Sequence, residues 1–211
     1  MPLPAASAPR KLVHTRRVDI QCWYREDGLL DMEARMVDLK EKDYPLPPSL
    51  GVRLKGRPLH DMRVRLTIDQ EMTIRDAVVS SDAVPYPGGC DTIAPVYQQL
   101  IGLSLMKGFR RAVMERFGGV RGCSHITELL SALPTAAFQT MASVQREKGV
   151  VDWDDRIDTQ PAQLDHCHAL EISTETVRQF YPRWYRAPKE EAPEKGAHDG
   201  SSTDGSIQAK V

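Results

Sequence analysis

The stretch MRVRLTIDQEMTIRDAVV, residues 62–79, decides the fold class of this chain. Met62, Val64, Leu66 and Ile68 alternate with Arg63, Arg65, Thr67 and Asp69, which is typical of a half-buried antiparallel strand. The turn at Gln70 and Glu71 then leads into a second apolar stretch. The sequence therefore predicts two paired strands at its centre.

Outward from this pair, residues 13–25 and 29–38 are predicted to form two strands joined by an Asp-Gly turn, an N-terminal β-hairpin that extends the sheet. After residue 90 the apolar period becomes helical. It predicts helices over 93–101, 109–117 and 126–144, the last kinked at Pro134, and a short helix over 174–181. Strands first and helices later predict an α+β fold, an antiparallel sheet with helices packed on one face. We expect one domain over 11–186 between disordered tails at 1–10 and 187–211.

The balance of acidic and basic residues limits the classes of partner that the protein is expected to bind. The 211 residues contain 28 Lys and Arg against 29 Asp and Glu, a net charge of −1. This balance argues against nucleic acid or an anionic membrane as the principal partner, and we expect a small molecule or a partner metalloprotein instead. Residues 1–17 have no apolar core of the kind a signal peptide needs, so we expect a cytoplasmic protein with reduced thiols. The oligomeric state is left open.

Residues able to bind a metal gather where predicted elements begin. His60 and Asp61 open the central strand, Cys90 follows a Gly-rich loop, and Cys123 and His125 stand at the start of the longest helix. A thiol at a helix start favours the thiolate, which binds metal or attacks an electrophile. For a single free cysteine, a buried and inert role is the common alternative.

The segments LHDMRVRLTID, TIRDAV, GGCDTIAP and GCSHITELL resemble, in order, the U-type iron-sulfur cluster scaffold family, over about residues 58–140. That resemblance implies a scaffold-like fold and a cluster or metal carrier. A second resemblance covers residues 11–186 through HTRR, DGLLDMEARMVD, PLHDM, RGCSHITELL, DHCHAL and FYPRWY. It points to an uncharacterised bacterial family, a domain of unknown function, and implies no activity.

The chain departs from the scaffold pattern at its first ligand position, where His60 and Asp61 stand in place of a cysteine and an aspartate. Iron-sulfur clusters prefer thiolate ligands, whereas mixed Cys, His and Asp ligands suit one Zn²⁺ or Fe²⁺. We therefore expect a mononuclear Zn or Fe site rather than an iron-sulfur cluster, with metal ligands His60, Cys90, Cys123 and His125. Asp61 is the expected catalytic base, or the residue that orients a histidine.

Two further groups complete the prediction. Cys167 and His168 are secondary metal-ligand candidates, and Arg110 and Arg121 are candidates to bind the anion of a small substrate. If the protein is an enzyme, a metal-dependent lyase or hydrolase fits best, because the sequence contains no nucleotide-binding or flavin-binding pattern. The rival interpretations are an iron-sulfur cluster or metal carrier and a non-catalytic interaction domain.

Overall fold

A computed structural model describes residues 2–149 and 158–188 of the chain. Four strands form one antiparallel sheet: β1 (His14–Tyr24), β2 (Leu30–Lys40), β5 (His60–Ile68) and β6 (Ile74–Ala83). They lie in the order β1-β2-β5-β6. The fold is α+β, as predicted, and the N-terminal hairpin extends the central sheet. Its turn contains Gly28, whose φ of 84° is the conformation that favours glycine.

The segment between β2 and β5 contains two short strands, β3 (Tyr44–Pro45) and β4 (Val52–Arg53), which pair only with each other. The prolines and glycines of this segment prevent a longer element. This segment therefore crosses from the end of β2 to the start of β5 without joining the main sheet.

Alternation along the central strands separates a buried face from a charged face. The inward side chains of β2 and β5 are apolar, and opposite pairs such as Met36 and Met62 or Met32 and Leu66 pack side by side. The outward side chains of the same strands include Glu33, Arg63 and Arg65, which are exposed. The sheet therefore has one face that must be covered, as the alternating sequence predicts.

Helices complete the core: α1 (Phe109–Phe117), α2 (Ser124–Leu130) and α3 (Leu133–Glu147). α2 contacts β2 and β5, and α3 contacts β1 and β2. The predicted helix over 126–144 is two helices, because Pro134 lies in the first turn of α3 and has no amide proton with which to continue the bonding of α2. The predicted helix over 93–101 corresponds to a 3₁₀ helix, Cys90–Leu100, that contains Pro95, and Ile101 lies just after its end.

The chain divides into two compact units, one ending at residue 151 and the other beginning at 152. In the second unit, α4 (Glu175–Phe180) begins after Thr174, whose hydroxyl accepts a hydrogen bond from the amide of Val177. The expected boundaries of the domain and tails stay predictions, and the C-terminal tail from residue 189 onward lies outside the described residues. No helix in the described part of the chain is long and apolar enough to span a bilayer.

Candidate metal centre

A row of polar side chains interrupts the buried face at one end of the sheet. Arg16 on β1 lies opposite Asp38 on β2, and Asp38 lies opposite His60 on β5. The three residues continue the inward alternation that the methionines Met36 and Met62 follow one row earlier. Strand pairing alone therefore brings a guanidinium, a carboxylate and an imidazole together.

Asp38 is the centre of this row, and only 2% of its surface is exposed. Arg16 donates two hydrogen bonds to its carboxylate, from Nε to Oδ1 and from Nη2 to Oδ2, each at 2.8 Å. Nδ1 of His60 lies 2.9 Å from Oδ2, and Nε2 of His14 lies 3.2 Å from Oδ1. The carboxylate is thus surrounded by nitrogen atoms on both sides.

These partners keep the carboxylate ionised despite its burial. Burial raises the pKa of Asp38, but the hydrogen bonds and charge of Arg16, together with His60, outweigh it and bring the pKa to about 2. Arg16 also donates from Nη1 to Oε2 of Glu128 on α2, at 2.6 Å. Two carboxylates share one guanidinium, so one negative charge remains beside the histidines.

His125, in the first turn of α2, completes the cluster from above the sheet. The centroids of its ring and of the His60 ring are 4.0 Å apart, and its Nε2 lies 3.9 Å from Oδ2 of Asp38. Burial lowers the pKa of His125, and the charge of Arg16 lowers it further. Burial and the charge of His125 likewise lower the pKa of His60, more than Asp38 raises it. The lowered pKa values favour the neutral form of both rings, the form in which imidazole binds a metal.

The turn before α2 fixes where His125 lies. The amide of Cys123 donates to the hydroxyl of Tyr97 at 2.8 Å, and that hydroxyl donates to the carbonyl oxygen of Cys123 at 3.2 Å. A Cβ atom on Gly122 would lie 2.6 Å from the carbonyl oxygen of Phe117, closer than real Cβ contacts. Glycine at 122 and tyrosine at 97 therefore determine the path of the chain into α2.

A cavity of about 650 Å³ opens beside the cluster. All four predicted metal ligands, His60, Cys90, Cys123 and His125, line it. Sγ of Cys123 lies 3.9 Å from Nδ1 of His125. The sequence analysis thus identified four residues that share one cavity, although they are far apart in the chain.

Three residues stand closest to the geometry of a metal site. In residues 2–149 and 158–188, the only group of three or more His, Cys, Asp or Glu side chains with ligand atoms within 4.8 Å of one another is Asp38, His60 and His125. Two of the predicted ligands belong to it, while Cys123 adjoins His125 and Cys90 lines the cavity from the start of its 3₁₀ helix. The ligand set of the sequence analysis stays a prediction.

Asp38 and Arg16 are not among the site residues predicted from the sequence. The alternation along β2 could have identified Asp38. It follows Leu30, Met32, Ala34 and Met36 at every second position, so its side chain points into the core. A charged residue in such a series needs a buried partner. That partner, Arg16, is on another strand and cannot be assigned until the register is known.

Asp61 lies on the other face of the sheet from the cluster. It is opposite Val37, and Arg35 donates to it from Nε at 2.8 Å and from Nη2 at 2.6 Å. The hydrogen bonds of Arg35 lower the pKa of Asp61, more than burial raises it. The structure therefore separates Asp61 from the two histidines, and Asp38 occupies the orienting position predicted for it.

The remaining candidates lie outside the cavity lining or in the second unit. Arg110 donates to the carbonyl of Ser131 at 3.4 Å and Arg121 to that of Met114 at 3.3 Å; both are exposed, and neither lines the cavity. Cys167 and His168 are exposed residues of the second unit, and His168 begins the 3₁₀ helix His168–Leu170. Their role as ligands stays a prediction.

Comparison with known proteins gives a family. No curated protein and no solved structure matches the chain, so the scaffold resemblance finds no support there. One family model matches residues 14–139, which include the sheet, the cavity and the three clustered residues. Because this match covers more than half of the sequence, the chain belongs to the family described as "Protein of unknown function (DUF2889)".

Proposed function

We propose that this chain binds one divalent transition-metal ion through Asp38, His60 and His125. The observation that carries the proposal is the position of Oδ2 of Asp38, which lies 2.9 Å from Nδ1 of His60 and 3.9 Å from Nε2 of His125. Ligand atoms around a tetrahedral ion, at bonds of about 2.0–2.1 Å, stand roughly 3.3 Å apart. The two distances lie on either side of that value, so small side-chain movements would bring the three atoms into a coordinating arrangement.

The donor atoms suit the ion. Two imidazoles and a carboxylate are ligands for Zn²⁺ and Fe²⁺. Asp38 and Glu128 together carry two negative charges and Arg16 carries one positive charge, so the net negative charge favours a cation. Arg16 keeps Asp38 ionised and oriented. An iron-sulfur cluster is less favoured, because among the described residues lining the cavity only Cys90 and Cys123 offer thiolates.

The arrangement also fits a reaction on a small molecule. When bound, the ion would supply Lewis-acid chemistry at the side of the cavity, which suits the lyase or hydrolase class. The residues of the chain would hold the carboxylate in its charged form and favour the neutral form of both imidazoles. Asp61 and the exposed Arg110 and Arg121 have no part in this proposal.

Anaerobic purification followed by elemental and sulfide analysis tests the proposal. We expect about one equivalent of zinc or iron without sulfide, and the same ratio when the metal-free protein is titrated with Zn²⁺. His60→Ala and His125→Ala should abolish binding, and Asp38→Asn should weaken it, because the amide oxygen that replaces the carboxylate carries no negative charge. His166→Ala, at an exposed histidine of the second unit, is the matched control and should bind normally.

Two results would overturn the proposal. Iron accompanied by acid-labile sulfide would support a cluster carrier instead. Absence of Zn²⁺ and Fe²⁺ binding in the folded protein would leave an interaction domain whose histidines and Asp38 only stabilise the fold. Circular dichroism of each variant shows whether a loss of metal reflects a loss of fold.

A further inference from the structure

The cavity has one polar corner and a wall without charge. Its described lining includes His60, Cys123, Ser124 and His125 on the side of the cluster, and Cys90 also lines it. The remaining lining is mostly apolar and includes Pro45, Leu46, Pro47, Leu59, Pro85 and Ile93. No Lys, Arg, Asp or Glu is among the described lining residues. A ligand could therefore meet charge only where the proposed ion would lie.

We propose that the cavity binds a small monocarboxylate with an apolar tail, the carboxylate at the histidine corner and the tail along the Leu46 wall. This inference rests on the proposed metal site. With Asp38, Glu128, Arg16 and a divalent ion, one positive charge remains at the corner, and it matches one negative charge on the ligand. The cavity of about 650 Å³ is within the usual range for a small-molecule site.

The wall sets the specificity. Each methylene of the tail that leaves water for this wall contributes favourable transfer free energy. A second carboxylate at the far end of the ligand would find no positively charged partner among the described lining residues to offset any hydration that it loses. The site therefore discriminates against dicarboxylates.

Three acids of graded structure test the inference. Acetate, hexanoate and adipate are titrated into the Zn²⁺-loaded full chain by calorimetry, since adipate differs from hexanoate only in its second carboxylate. We expect hexanoate to bind at least about tenfold more tightly than acetate and than adipate. Equal affinity for hexanoate and acetate, or binding of adipate as tight as that of hexanoate, would overturn the inference.

A matched pair of variants locates the tail. Leu46 lines the cavity, whereas Leu50 lies in the same segment outside the lining and is exposed. Leu46→Asn should weaken hexanoate binding several-fold and leave acetate unchanged, and Leu50→Asn should change neither. Equal effects of the two variants would contradict the assigned wall.

The neutral pair of hexanol and the corresponding terminal diol separates the two proposals. Neither compound needs the ion, so both can be titrated into the metal-free chain. The apolar wall should bind hexanol more tightly than the diol. If Zn²⁺ fails to bind but hexanol binds more tightly than the diol, the proposed metal site is rejected and the proposed apolar wall is supported. If Zn²⁺ binds but neither tail preference appears, the ligand class is wrong and the metal site stands.

Discussion

The hydroxyl of Tyr97 bonds to both the amide and the carbonyl of Cys123, 26 residues further along the chain. Tyr97 is fully buried and stacks on Phe117, with ring centroids 4.7 Å apart. A side chain of the 3₁₀ helix thus holds the turn from which α2 and His125 begin. The position of His125, a proposed metal ligand, therefore depends on a tyrosine of another element.

Replacement of Tyr97 by phenylalanine removes both hydrogen bonds and keeps the ring. We expect the free energy of unfolding to fall by about 1–3 kcal/mol, because the Cys123 amide loses its partner. Urea denaturation measures the change, and Tyr86→Phe, at an exposed tyrosine, is the control. An unchanged unfolding midpoint for Tyr97→Phe would show that the hydroxyl does not hold the turn.

Gly122 should not tolerate a side chain. In Gly122→Ala the new Cβ would meet the Phe117 carbonyl, so we expect a loss of about 1–3 kcal/mol in stability and weaker Zn²⁺ binding as His125 moves. Gly89→Ala is a matched control, because its Cβ would lie 3.6 Å from the nearest described atom, an ordinary contact. Thermal denaturation and Zn²⁺ titration of the two variants give the comparison. Similar losses in both would refute the steric argument.

Cys123 is expected to position His125 rather than to bind the ion. Its sulfur lies beside Nδ1 of that ring, whereas Nε2 faces Asp38. Cys123→Ser should therefore keep one equivalent of metal, with affinity reduced less than tenfold. The Co²⁺-loaded wild-type protein should lack the thiolate charge-transfer absorption in the near ultraviolet. Appearance of that band, and its loss in Cys123→Ser, would make Cys123 a ligand as the sequence analysis predicts.

The ion pair of Asp61 and Arg35 should stabilise the fold without affecting metal content. Since Arg35 is partly exposed, a double-mutant cycle with Asp61→Asn and Arg35→Gln should give a coupling of about 1 kcal/mol. The pKa of Asp61 is lower in the folded state, so its contribution is complete above the unfolded value of about 3.9 and disappears as pH falls through the lower folded value. The stabilities of wild type and Asp61→Asn should therefore converge in acid. Loss of metal in Asp61→Asn would restore Asp61 to the site.

Local patterns were enough to predict the sheet. The alternation around Val64 and the Asp-Gly turn at Gly28 are patterns of neighbouring residues. The structure confirms the central strands and the N-terminal hairpin that they predict. The break before α3 was predicted only as a kink, because Pro134 can either bend a helix or begin a new one. The position of the chain around Pro134, set by packing against the sheet, decides between them.

The candidate site was predictable only in part, for a physical reason. His60 and His125 were found because each lies at or next to the start of an element, which is visible in the sequence. The role of Asp38 depends on Arg16 and His60 across two strand pairings, and the pairing of Asp61 with Arg35 depends on the same register. No local pattern contains that register.

The row of Arg16, Asp38 and His60 exists only while three strands keep their native alignment. A slip of one residue between β2 and β5 would turn Asp38 away from His60 and send it to the solvent side. Any ion that needs both side chains would bind the correctly aligned sheet alone and, by mass action, deplete misaligned forms. A bound ion would then disfavour the misaligned register, in addition to any chemical role that it has.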